Sequence, residues 1–358
     1  MFYSYKIYKN KVMKNLKIKE KMKNGKVLII AILASTIIFS SCNKNEDVIP
    51  AVEPQPTMLD ISALLEKMSN DSTYLDQIVD GDLKSGKKWK KPPTFFNLTY
   101  ALAKTKLIST VLTNELSVFA PSDEAFNKLF KALGVKNIYA LSAEQLKPIL
   151  LYHVVSGTVK STDLKNGFAP TLNGSAVKIN LDKGVMVNNA NVIIADLRAF
   201  NGIIHVIDEV LLPPSKNLVE VAQSIPDFSI LVAAVIKADL VKTLVTGKAF
   251  TVFAPTNDAF VAMLKERGFA SLEAIPVDLL RNVLLYHVVN GRVYSSDLPA
   301  GPLKVTPVYN AFTFSIDASS LKITDANGRI AGLVPTLLDV QATNGVIHVI
   351  DKVILPKL

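Results

Sequence analysis

Three strings occur twice in this chain, in the same order. Residues 117–126 read SVFAPSDEAF and residues 251–260 read TVFAPTNDAF; residues 150–157 read LLYHVVSG and residues 284–291 read LLYHVVNG; residues 201–213 read NGIIHVIDEVLLP and residues 344–356 read NGVIHVIDKVILP. The offset is 134 residues from Phe119 to Phe253 and from His153 to His287, then 143 from His205 to His348. Such a chain must fold as two copies of one unit, the second carrying nine extra residues between its last two landmarks. With 358 residues, each copy is long enough to bury its own core. The first copy ends at Pro213 and Pro214, where a strand pattern gives way to the helical pattern that begins at Leu218.

Each landmark has a local physical meaning. In the first, Val118 and Phe119 (Val252 and Phe253 in the second copy) form a short strand that Pro121 or Pro255 stops. Ser122 or Thr256 then caps a helix, with Asp123 and Glu124, or Asp258, in the first turn where the helix dipole favours negative charge. Phe126 and Phe260 are expected to turn inward. The second landmark passes from helix to strand at the β-branched pair Val154-Val155. The third opens on the turn pair Asn201-Gly202 or Asn344-Gly345 and continues as an unbroken apolar strand of the buried kind. Helical spacing of apolar residues runs through 59–68, 96–112, 218–225 and 228–244, and further strands are predicted at 177–179, 185–187 and 192–194. Helices first and strands later make each copy an α+β domain.

The formal charge of +9 is uneven. Nine lysines against Glu20 put +8 before Cys42 and leave only +1 for the rest, so a phosphate-tracking stripe in the folded part is excluded and no nucleic-acid partner is expected. Behind those lysines the apolar run 27–39 has the size of a signal-peptide core and is too short for a permanent span. Ser40 and Ser41 then precede Cys42, the sole cysteine, in an arrangement that resembles the lipobox of bacterial lipoproteins. Cys42 is thus the expected lipidation site, and acyl chains would anchor the protein in the membrane without spanning it. The short run 43–47, NKNED, resembles the export signal that carries lipoproteins of the Bacteroidetes group to the cell exterior, or is a solvated linker. Residues 1–41 are therefore read as a lipoprotein signal peptide, with Met22 an alternative start, and 42–57 as a tether stiffened by Pro50, Pro54 and Pro56. The domains are expected at 58–214 and 215–358.

The four histidines, His153, His205, His287 and His348, fall two per copy inside apolar strings. Neither an HExxH motif nor a ligand cluster accompanies them, so they read as structural and neither a metal site nor a cofactor is expected. Asp208 and Asp351 lie three residues beyond a histidine, on the opposite face of a strand, which separates them from it. Asp163 and Asp297 read as turn residues. With no GxSxG elbow and no phosphate loop, no catalytic residues and no enzyme activity are expected.

Taken together, the repeated strings resemble the paired sequence boxes of the fasciclin domain with its intervening tyrosine-histidine motif, over about residues 58–213 and 217–356, nearly all of the chain that follows the leader. The resemblance implies two tandem domains, each a β-sandwich or wedge with helices packed on it, used in extracellular adhesion and in matrix or surface binding. It also points to Tyr152, His153, Tyr286 and His287 as ligand contacts, since the tyrosine-histidine region is implicated in receptor contact in animal matrix members. Differences between the copies speak more directly to binding. Residues 81–94, GDLKSGKKWKKPPT, place the only tryptophan, Trp89, among Lys87, Lys88, Lys90 and Lys91, a loop that stacks on a sugar ring or pairs with acidic glycans and carboxylates, unless Trp89 folds back onto the domain. The nine extra residues of the second copy lie around 324–336, with Asn327-Gly328 as a hairpin signal and Arg329 at its tip. The expectation is a lipid-anchored outer-membrane protein facing the cell exterior, binding a polysaccharide or a matrix or surface protein; the alternative is a non-catalytic accessory subunit of an outer-membrane complex. Oligomeric state is not legible.

Overall fold

The computed structural model describes residues 58–71, 73–79, 92–246 and 249–357. The leader, Cys42 and the tether lie outside them, as does the segment 80–91. The first copy opens with helices α1 (Ile61–Asn70), α2 (Tyr74–Ile78), α3 (Phe96–Thr105) and α4 (Ile108–Thr113). Strand β1 (Leu116–Pro121), helices α5 (Asp123–Leu133) and α6 (Ala143–Tyr152), and strand β2 (Val154–Ser156) follow. The copy closes with β3 (Gly167–Pro170), β4 (Ala176–Asn180), β5 (Met186–Val187), β6 (Ala190–Ala199) and β7 (Gly202–Ile207).

These strands form one seven-stranded sheet in the order β2-β1-β7-β6-β5-β4-β3. The three repeated strings are therefore three neighbouring strands. β1 and β7 run parallel over six residue pairs, from Leu116 opposite Gly202 to Pro121 opposite Ile207, and every residue of both is buried. One face of β1 sends Val118 and Ala120 into the helical core with Ile61, Leu65, Phe126 and Leu146. The other sends Phe119 into a second core with Tyr152, Val177 and Ile207. Burial on two faces is why these strands read as unbroken apolar runs.

The second copy repeats the helical half as α7 (Leu218–Gln223), α8 (Ser229–Lys237), α9 (Val241–Thr246), α10 (Asn257–Arg267) and α11 (Val277–Tyr286), with β8 (Phe250–Pro255) after α9 and β9 (Val288–Asn290) after α11. Its remaining strands are β10 (Pro302–Val305), β11 (Phe314–Asp317), β12 (Lys322–Thr324), β13 (Ile330–Gly332), β14 (Val340–Ala342) and β15 (Gly345–Ile350). They divide into two four-stranded sheets, β14-β15-β8-β9 and β10-β11-β12-β13. The counterpart of the ten-residue β6 is broken here into β13 and β14, with a 3-10 turn at Pro335–Leu337 between them. In the first copy β6 already shifts register twice, between Val192 and Ile194 and again before Leu197. The added residues make the β12–β13 hairpin expected from Asn327-Gly328. Arg329, however, is not a free tip: it binds the Val353 carbonyl, Asp325 and Glu266, pinning the hairpin to the domain.

The continuous helical periodicity of 96–112 and 228–244 proves to be two helices each time. Lys106 (φ 60°) and Asp239 (φ 57°) adopt the left-handed conformation and end α3 and α8. Periodicity persists across such breaks because both pieces send their apolar residues into the same core.

The Asn-Gly pairs do more than turn. Asn201 accepts from the Ile61 amide at 2.9 Å and donates to the Val111 and Asn114 carbonyls, joining α1 and α4 to the sheet. Asn344 repeats this on the Leu218 amide and the Leu244 carbonyl. Gly202 (φ 151°) has no room for a side chain, because a Cβ there would overlap the backbone carbonyl of Leu116.

Between the domains, Gln341 pairs with the backbone of Ala176 in both directions, accepting from its N–H (3.1 Å) and donating to its carbonyl (2.8 Å). Tyr294 donates to the same Gln341 oxygen and stacks on Phe168 with ring centroids 4.3 Å apart. The short Pro214-Ser215 connection is thereby backed by a packed joint.

Two outcomes are expected. Gly202→Ala should cost about 3 kcal/mol of stability, read by urea unfolding, because the parallel β1–β7 pair must separate to admit a methyl group. In calorimetry, the double variant Tyr294→Ala, Gln341→Ala should resolve two domain transitions that lie closer together in the parent; an unchanged thermogram would show that the joint couples nothing.

Candidate functional site

The residues expected to carry chemistry sit in the interior. Tyr152, His153, Tyr286 and His287 are each 2% exposed or less. Tyr152 Oη donates to the Ala176 carbonyl at 2.8 Å and accepts from Asn188, while Tyr286 Oη donates to the Thr313 carbonyl at 2.8 Å and accepts from the Ala326 amide. A ligand reaching any of the four would have to open a core. Burial pushes the Tyr152 hydroxyl up and that of Tyr286 up to about 12, keeping both protonated as donors.

The histidines use both ring nitrogens. His153 Nδ1 faces the Ile149 carbonyl at 2.7 Å and must carry the proton, so Nε2 is the acceptor and receives the Leu211 amide at 2.9 Å. His287 does the same with the Val283 carbonyl and the Ile354 amide. Each fastens the chain leaving its domain to the end of a helix. His205 and His348 have the opposite tautomer: Nε2 donates to the Val159 or Val293 carbonyl at 2.9 Å, and Nδ1 accepts the amide of Asp196 or Asp339 at 3.3 Å.

Asp196 (φ 59°) bulges within β6, and Asp339 (φ 58°) stands just before β14, both in the left-handed conformation. Their carboxylates accept both the amide and the hydroxyl of Ser161 or Ser295. Sequence reasoning passed over this Ser-Asp-His constellation, although the aspartates recur at the 143-residue offset of the nearby histidines. It is not a catalytic triad, because the histidine meets the aspartate backbone N–H and its other nitrogen is committed to a carbonyl. Beside it in the second domain lies a cavity of about 250 Å³, lined by Ser295, Leu298, Ile316, Leu333 and His348. No free imidazole lone pair points into it.

The remaining acids are structural. Asp208 accepts from the Asn191 amide and side chain, and Asp351 from the Gly332 amide, neither with a histidine. Asp297 accepts the Tyr294 amide, while Asp163 closes a 3-10 turn. Asp123 was expected only to suit its own helix dipole, yet its carboxylate also accepts the amides of Phe96 and Asn97 and caps α3 from 26 residues away. Asn257 does this for the Ile230 amide in the second copy. Among the described residues no group of three or more His, Cys, Asp or Glu side chains is placed to hold a metal, and no helix is long and apolar enough to cross a membrane. Cys42, Trp89, Lys87, Lys88, Lys90 and Lys91 lie outside the described residues.

Desolvation holds His153 and His287 down to about 4, and lowers His205 and His348 as well. Unfolded histidine titrates near 6.5, so the unfolded chain binds the extra protons between about pH 6.5 and 4. The stability these groups confer is complete above pH 6.5 and drains away as pH falls, by up to about 1.4 kcal/mol per pH unit per histidine. Urea midpoints should therefore drop between pH 7 and 4.5. The variant His153→Asn, His287→Asn should be less stable at pH 7 but show a shallower pH slope; an equal slope would remove these two histidines as its source.

The fasciclin domain model matches the chain twice, over residues 93–213 and 226–356. Helices α1 and α7 precede these segments yet share the cores they enclose. Protein sll1483 of Synechocystis is 39% identical over 153 residues, 43% of this chain and 81% of that protein. The transforming growth factor-beta-induced protein ig-h3 of Sus scrofa is 28% identical over 330 residues, 90% of this chain but 44% of its own length. Among solved structures, the FAS1 domain pair from the insect cell adhesion molecule Fasciclin I aligns with a TM-score of 0.36 at 20% identity, covering 72% of this chain and 92% of that one. The chain belongs to the fasciclin domain family and carries two such domains in tandem.

Proposed function

We propose that this is a binding protein of the cell envelope, exported and held at the outer membrane by lipid on Cys42, whose tandem domains attach the cell to a polysaccharide or to a matrix or surface protein. One observation carries the reading. Every histidine and both motif tyrosines are consumed by backbone groups in both copies, so what the copies share is spent on the fold and what remains to act is surface. Membership in a family associated with adhesion supports the same conclusion. The lysine-rich, apolar, Ser-Ser-Cys sequence up to residue 42 supports export and anchoring. Two domains on one tether raise avidity where both engage the same target.

Protease added to intact cells should digest both domains while a periplasmic control survives, and Cys42→Ser should move the protein from the membrane fraction to the soluble one. Protection until lysis would instead place the partner in the periplasm. Co-purification with a single stoichiometric membrane protein would favour an accessory subunit.

A further inference from the structure

One surface feature belongs to the first domain alone. Phe96 and Tyr100 stand one turn apart on α3, near-parallel (21°) with centroids 6.5 Å apart. Tyr139, from the 3-10 turn Ile138–Ala140, meets Tyr100 edge-on at 4.8 Å. Phe96 is 53% exposed and Tyr139 57%, while Tyr100 is half-buried between them. Lys104 continues the row, its Nζ 5.7 Å from the Tyr100 ring and bonded to the Leu141 carbonyl.

The second domain shows that the fold does not require these rings. Lys237 repeats Lys104 by binding the Ile275 carbonyl, and Asn257 repeats Asp123, which fixes the correspondence of the two helices. Ser229, Ala233 and Glu273 then occupy the places of Phe96, Tyr100 and Tyr139, all three exposed. The same helix packs an equivalent core without them, so a row of two exposed rings bridged by the partly exposed Tyr100 serves something outside the domain.

Area selects the occupant. Two rings at roughly half exposure and the partly exposed Tyr100 offer on the order of 250 Å², against about 800 Å² per partner in a stable protein interface. That is too little to hold a second copy or a folded protein, and it matches a few sugar rings. Pyranoses present apolar C–H faces to aromatic faces and hydroxyl rims to donors such as the tyrosine Oη groups. We propose that Phe96, Tyr100 and Tyr139 form a platform that binds a polysaccharide chain, the first domain's specific contribution to adhesion. This deepens the adhesion reading and rests on it.

The test is affinity electrophoresis of the full chain, extracted in detergent, through gels containing barley β-glucan, xylan, alginate or dextran. The comparison variant carries Phe96→Ser, Tyr100→Ala and Tyr139→Glu, the residues the second domain already tolerates, and should keep the parent's thermal unfolding. At least one polysaccharide should retard the parent, and the variant's affinity for it should fall about tenfold or more. Retardation unchanged in a folded variant, or absent from the parent in all four gels, overturns the platform. A dimer that the triple substitution dissociates in sedimentation would also overturn it, naming a second copy as occupant. Attachment of whole cells to surfaces coated with matrix protein separates the two levels: if attachment persists while no gel retards the parent, the platform falls and the adhesion reading stands.

Discussion

Everything else in each domain is arranged around the parallel pairing of two strands that lie far apart in sequence, β1 with β7 and β8 with β15. A parallel pair needs a long connection, and here it encloses two helices and the remaining strands. Both faces of the pair are buried, so helices must cover one side and the returning strands the other. The glycine at the start of β7 lets that strand close on the β1 carbonyl, and the asparagine before it ties in the first helix. The histidines then fasten whatever leaves the pair: His153 and His287 hold the exit chain, His205 holds the bulge of β6, and His348 holds the residue that leads into β14.

Repetition made this frame readable. The three strings that recur are the three adjoining strands, because a position that meets backbone or core in one copy must do so in the other. Strand burial, the Ser122 and Thr256 caps and the structural character of the histidines could all be argued from local spacing. Interactions whose partners are remote could not. The cap that Asp123 lends to α3 crosses 26 residues, the division of each long helix depends on one residue turning left-handed, and Gln341 reaches Ala176 across 165. Sheet continuity was likewise illegible: nine added residues leave the strings intact yet break the long β6 equivalent and split a single sheet into two.

For the candidate site, the tyrosine-histidine motif is both chemically rich and repeated. Those same properties mark it as interior, since a polar group that must be satisfied without water recurs wherever the fold recurs. The aromatic row on α3 has the contrary signature, present once and replaced by small or charged residues in the other copy. Because the row occurs once, it leaves no trace in the repeated strings; the equivalent caps from Asp123 and Asn257 are what set Ser229 and Ala233 in the places of Phe96 and Tyr100.

The bond between His153 and the Leu211 amide has a mechanical meaning. Leu211 lies on the only covalent path from the first domain to the second, so tension between the domains reaches Leu211 before it reaches β7. A neutral imidazole accepts that amide, and a protonated one has no lone pair to do so. The grip on the inter-domain chain is thus weakest where acid reaches the core. The link between the two domains is thus a strut whose breaking force depends on the proton concentration around it.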